Sequence, residues 1–141
     1  MLLRMALNAL DGMVAQASDQ KTPTGAVLNE LCDVISDAAL FSAFLVLLVS
    51  IQEGWWLLTI LALLTEFVSL SVYQAQGIRS HTGPFGKSDR AVYLGLLAVL
   101  LAIFPASINT SATWLIAYCT LGLLLAALTI WNRFAFIKTK Q

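Results

Sequence analysis

The sequence predicts an all-α integral membrane protein, a helical bundle of about four complete transmembrane helices plus the end of a preceding helix. Three observations carry this. Of the 141 residues, 59% are hydrophobic and only 11% charged, whereas soluble domains carry about 25% charge. The apolar stretches approach the roughly 20 residues that a helix needs to cross a bilayer. All eight Lys and Arg residues fall on alternate connections between those stretches.

Taken in order, residues 8–16 (NALDGMVAQ) come first. Asn8 and Asp11 are three apart and share a helical face. Gly12 and Ala15 continue that side with almost no side-chain bulk, so a ligand or a neighbouring backbone can approach closely. A polar turn (ASDQKTPT) follows, and Gly25 opens the first full span, 25–50. Further spans are expected at 55–76, 91–108 and 112–131, with Pro105 terminating the third near its end. Trp55, Trp56, Trp114 and Trp131 stand at span ends, where amphipathic rings favour the membrane interface. The links around Gln52–Glu53 and Ser107–Thr113 carry no Lys or Arg. Arg4, Lys21, Arg79, Lys87, Arg90, Arg133, Lys138 and Lys140 occupy the other three segments. By the positive-inside rule those segments are cytoplasmic. Nothing at the N-terminus has the form of a cleaved leader. Cys32 and Cys119 form no CxxC pair and read as small apolar residues within spans.

Within the first span, Gly25, Asn29, Asp33 and Asp37 recur every four residues. That spacing lines one side of a helix, drifting about 40° per step. Asp37 then lies about 18 Å beyond Gly25, near the bilayer midplane. An Asp at a membrane helix centre costs about 2.5–3.5 kcal/mol, so two on one face imply a wet cavity or cation coordination. Glu30 is off the stripe and near the interface. The two helix ends thus meet at the cytoplasmic surface, each presenting oxygen ligands. Carboxylate and amide oxygens suit hard divalent ions such as Mg²⁺, usually shared with substrate phosphates.

The run Asn8-x2-Asp11-Gly12-x2-Ala15-Gln16-x8-Gly25-x3-Asn29-x3-Asp33 resembles the signature of the CDP-alcohol phosphatidyltransferases, D-x2-D-G-x2-A-R-x8-G-x3-D-x3-D. Every spacing agrees. Three letters depart: Asn8 and Asn29 replace Asp, and Gln16 replaces Arg. The stretches RMALNALDGM and GPFGKSDRA are similar to a bacterial inner-membrane branch of the family that has Asn at both places. The resemblance implies a partial six-helix fold, lacking the first helix and most of the second, as one domain over residues 1–141. It also implies a Mg²⁺- or Mn²⁺-dependent transferase of phospholipid biosynthesis in the bacterial inner membrane, with its site facing the cytoplasm. The metal ligands would be Asn8, Asp11, Asn29, Asp33 and Asp37, and Asp33 would be the catalytic base. The nucleotide would pack on Gly12, Ala15, Gln16 and Gly25. The implied partners are a CDP-linked lipid donor, an alcohol acceptor, membrane lipids and a second copy of the chain in a homodimer, with no nucleic acid. Asn keeps an oxygen ligand and loses the charge, so weaker or single-metal binding is expected. Gln16 cannot supply the permanent charge and forked donors of Arg.

The long polar loop GIRSHTGPFGKSDR, residues 77–90, is turn-rich. Its GKS lacks the first Gly of a P-loop and follows no strand, which excludes that motif. Through the resemblance, Arg79, Lys87 and Arg90 would bind the acceptor or lipid phosphate; simple positive-inside anchoring is the competing reading. His81 reads as a loop residue without catalytic duty. Glu66, in the middle of the second span, is either functional or a protonated acid hydrogen-bonded to a neighbouring helix. Two other functions compete with the transferase: a catalytically inactive relative acting as a structural or assembly partner, and an ion or proton pathway along Asp33, Asp37 and Glu66.

Overall fold

A computed structural model describes residues 22–78, 80, 82–103 and 112–138, together with Leu10 and Met13. Four long helices make up these residues: α1 (Pro23–Leu47), α2 (Gln52–Gln76), α3 (Lys87–Ile103) and α4 (Ala112–Lys138). No strand occurs among the described residues. α1 starts where Thr22 and Pro23 dictate. The Thr22 hydroxyl accepts from the Gly25 N–H at 3.0 Å, and Pro23 occupies the first turn, where its missing N–H costs nothing. Leu48 ends α1, and a single 3-10 turn, Val49–Ile51, leads directly into α2. α2 stops at Gly77, whose φ of 69° is a left-handed cap that a side chain would resist.

The ends of α3 and α4 differ from the expected spans. α3 begins at Lys87, so Lys87 and Arg90 lie on a helix and not in the polar loop. The cause is local. Asp89 reaches back to the Gly86 N–H at 2.9 Å while the Arg90 N–H bonds the Gly86 carbonyl at 2.9 Å. This is the reciprocal half of a capping box. α4 runs on past Trp131 to Lys138, which brings Arg133 onto a helix.

Contacts fix the helix directions. Phe41 and Phe44 meet Trp55 across the first turn, so α1 and α2 are antiparallel. α2 and α4 share the largest interface, with Gly54 beside Cys119 and Leu58 beside Gly122, and run in the same direction. Lys87 meets Asp33 and Arg90 meets Asp37, so α3 runs with α1. The bundle therefore goes up, down, up and down, which puts Thr22, the loop 77–86 and the end of α4 at one end.

The core is aromatic. Trp55 is fully buried and stacks on Tyr93 at 6.4 Å. Its indole N–H donates to the Phe41 carbonyl at 2.9 Å. This corrects the expectation for Trp55 as an interfacial residue: it lies one turn inside α2 on the face toward α1, whereas Trp56 and Trp131 remain exposed. The Tyr93 and Tyr118 hydroxyls each donate to the other residue's carbonyl, at 2.7 and 2.6 Å, pinning α3 to α4. Buried hydroxyls are tolerated when satisfied in this way.

The outside is apolar too. Val27, Leu31, Ile35, Phe67, Val92, Val99, Leu124 and Trp131 are more than half exposed. Meanwhile Asp33, Asp37, Glu66, Arg90 and Arg133 are buried. An apolar exterior around a charged interior is the distribution expected of a bundle in hydrocarbon. Two helical stretches among the described residues, Val49–Gln76 and Thr113–Ile137, are long and apolar enough to cross a membrane by length and composition. α1 carries Glu30, Asp33 and Asp37, and α3 spans 17 residues.

Candidate active site

The stripe on α1 divides. Asp33 and Asp37 are buried, whereas Gly25 and Asn29 are exposed. Helical geometry explains this, because a drift of about 40° per step turns Gly25 and Asp37 roughly 120° apart over three steps. Asp33 and Asp37 instead continue into the buried line Phe41, Phe44, Leu45 and Leu48. The two carboxylates thus sit at the polar end of the core-facing side of α1.

α3 supplies their partners as a two-rung ladder. Lys87 and Arg90, three apart on α3, meet Asp33 and Asp37, four apart on α1, because both spacings place side chains on one helix face. The Lys87 ammonium donates to Asp33 Oδ2. Arg90 donates from Nε to Asp37 Oδ2 at 3.0 Å and from one terminal nitrogen to Glu66 Oε2 at 2.9 Å. That nitrogen also lies 2.9 Å from Asp37 Oδ2. Its other terminal nitrogen donates to Thr65 Oγ1 at 2.7 Å and to the Ala62 carbonyl at 3.4 Å. The planar guanidinium fork suits this many acceptors, and the residue is only 2% exposed. Glu66 is therefore an ion-pair partner of Arg90 from α2.

Arg133 completes the cluster from α4. It is buried, donates to the Thr65 carbonyl, and donates from Nε to the Thr82 carbonyl at 3.4 Å. Sequence reasoning assigned it only to the basic tail. Its distance of two residues beyond Trp131, on a helix continuing past the expected span, was the available signal. The loop is folded onto the same region. Ser69 Oγ donates to the Ser80 carbonyl at 3.0 Å, and the Phe85 N–H donates to Thr129 Oγ1 at 2.8 Å. Gly83 permits this approach: its φ is 123°, and a Cβ there would lie 2.6 Å from Thr129 Cγ2.

Two cations, Lys87 and Arg90, thus form ion pairs with the three carboxylates Asp33, Asp37 and Glu66, and Arg133 meets backbone carbonyls beside them. Asn8, Asp11, Gly12, Ala15, Gln16, Arg79 and His81 lie outside the described residues. Among the described residues no group of three or more His, Cys, Asp or Glu side chains is placed to hold a metal. Asn29 and Asp33, one turn apart, nonetheless offer the hard oxygen donors that suit Mg²⁺ or Mn²⁺. The donor chemistry fits. Asp37 is engaged by Arg90.

The sequence model for CDP-alcohol phosphatidyltransferase matches residues 1–131. The inner membrane protein YnbA of Escherichia coli (strain K12) is 50% identical over 105 residues, covering 74% of this chain and 52% of YnbA. The chain thus spans about half the length of the curated relative it matches. No solved structure matches it significantly. With the motif spacing, the buried acids of α1 and the family match over nearly its whole length, the chain belongs to the CDP-alcohol phosphatidyltransferase family.

Proposed function

We propose that the chain forms the acid-bearing part of a membrane-embedded transferase site. The site passes a substituted phosphate from a CDP-linked donor, such as CDP-diacylglycerol, to an alcohol and releases CMP. The observation that carries this is Asp33: a motif carboxylate, 3% exposed, held on a packed helix face opposite a basic helix end. Asp33 takes the hydroxyl proton of the acceptor. The freed oxygen forms a bond to the phosphorus bearing the donor's alcohol, and the bond from that phosphorus to the bridging oxygen breaks, so that CMP leaves with the electron pair. A carboxylate within hydrogen-bond reach of the hydroxyl suits this role. Asp33, Asn29, Asp11 and Asn8 are the residues that would hold a divalent ion, whose charge would balance the diphosphate when bound. Gly12, Ala15, Gln16 and Gly25 would border the nucleotide, and Lys87 with Arg79 would receive a phosphate.

Arg90 has a different part in this reading. Its Nε and both terminal nitrogens are engaged by Asp37, Glu66, Thr65 and Ala62, so it holds α1, α2 and α3 together beneath the site. With the basic ends cytoplasmic, the site opens to the compartment that holds CDP-linked donors.

The test is CMP release from vesicles containing the protein, CDP-diacylglycerol, Mg²⁺ or Mn²⁺ and a panel of small alcohols. Release that requires the ion and disappears in Asp33→Ala supports the proposal. The ion-paired cluster also suits an inactive relative with a structural or assembly role. No CMP release from a folded chain with any alcohol in the panel would favour that reading. Ion flux through such vesicles without nucleotide would favour a conducting pathway.

A further inference from the structure

Lys87 and Arg90 stand on one turn of α3 and make unequal contacts. Arg90 is 2% exposed and is held by acceptors on two other helices. The Lys87 side chain is 37% exposed, although the Asp33 carboxylate it meets is 3% exposed. A lysine on a flexible four-carbon stem can swing its ammonium between a buried acceptor and water, whereas a guanidinium fixed by several bonds cannot.

We propose that Lys87 is the resting counter-ion of Asp33 and that it yields this carboxylate to a divalent cation. This rests on the reading of Asp33 as part of a metal site. The local charge argues for it. Asp33 is already matched by Lys87, while Asp37 and Glu66 share Arg90, so a doubly charged ion at Asp33 competes with the ammonium for one carboxylate. A cation on Asp33 with the ammonium still in place would sit beside a like charge in a poorly solvated interior, where such repulsion is weakly screened. Asn29, one turn before Asp33, supplies no charge of its own, which makes an ion there more dependent on Asp33. Lys87 is therefore a positioning residue that holds the Asp33 carboxylate in place. Once displaced, its ammonium is free to meet an incoming phosphate.

Binding of Mn²⁺ to the chain in lipid nanodiscs, read from the electron paramagnetic resonance signal of free Mn²⁺, tests the exchange. Lys87→Met keeps the stem and removes the charge, and is expected to bind Mn²⁺ on the order of tenfold more tightly than the parent. Lys87→Arg keeps the charge and should show no gain. Asp33→Asn placed on Lys87→Met should abolish the gain. Unchanged or weaker binding by a helical Lys87→Met chain overturns the proposal, as does an equal gain in Lys87→Arg. If the parent releases CMP in an Mn²⁺-dependent way while Lys87→Met shows no gain, the exchange fails and the transferase reading stands. If neither chain binds Mn²⁺, the metal site itself is lost and the exchange with it.

Discussion

Arg90 Nε lies 3.0 Å from Asp37 Oδ2, joining residues 53 apart in the chain. The same guanidinium reaches Glu66 at 2.9 Å, so one buried cation ties α1 and α2 to α3. Such an arrangement is costly to desolvate and is retained only when each charge is met and hydrogen-bonded. Here the Thr65 hydroxyl and the Ala62 carbonyl take the remaining donors.

Removing Arg90 should therefore do more damage than its single charge suggests. Arg90→Met leaves two buried carboxylates without their cation and is expected to destabilise the bundle by about 3–5 kcal/mol. Arg90→Lys should recover part of this, since an ammonium cannot span both acids and Thr65. A triple variant, Asp37→Leu, Glu66→Gln and Arg90→Met, should return to within about 2 kcal/mol of the parent. Unfolding of detergent-solubilised protein in increasing SDS measures all three.

The adjacent tryptophans should respond differently. Trp55→Ala empties a fully buried site between Phe41, Phe44 and Tyr93, at an expected cost of about 3–5 kcal/mol. Trp56, 49% exposed, should cost less than about 1 kcal/mol when changed to Ala. Equal losses at the two positions in the same SDS titration would contradict the burial of Trp55.

Gly83→Ala should displace the loop. The backbone conformation is one that side chains resist, and the new Cβ would lie 2.7 Å from the Thr129 Cα. An expected loss of about 2–4 kcal/mol combines strain with overpacking. Faster proteolysis between residues 77 and 86 should accompany it, because the Phe85–Thr129 hydrogen bond at 2.8 Å anchors that segment.

Gln52 and Ser88 are both exposed and belong to opposite ends of the bundle. In a background with Cys32 and Cys119 replaced, Gln52→Cys should react with a membrane-impermeant maleimide on intact spheroplasts. Ser88→Cys should react only after permeabilisation. Labelling of both from the same side would rule out the alternating topology and with it the cytoplasmic site.

Much of this architecture was legible locally. Apolar length gave the four helices, because a bilayer-sized helix must satisfy its backbone within one continuous segment. The polar turn before Gly25 and the turn-rich stretch from Gly77 marked two helix ends to within two residues, because capping involves only near neighbours. Four-residue spacing put Asp33 and Asp37 on one face. The spacing of the motif, far more specific than composition, gave the family.

Periodicity does not say which face meets which helix. It placed Gly25 and Asn29 on the same stripe as the buried acids, but the rotation of α1 against α2 and α3 exposed one half and buried the other. It also left Lys87 and Arg90 in a loop, since the cap that starts α3 depends on a Gly86–Asp89 bond rather than an apolar run. Sequence by itself determined the helices, their polar ends and the acids on offer. The tertiary structure alone decided that Arg90 holds Asp37 and Glu66, that Lys87 meets Asp33 and that Arg133 comes in from α4. Those pairings join residues dozens of positions apart, and only packing brings opposite charges close enough in a weakly screened interior to bind.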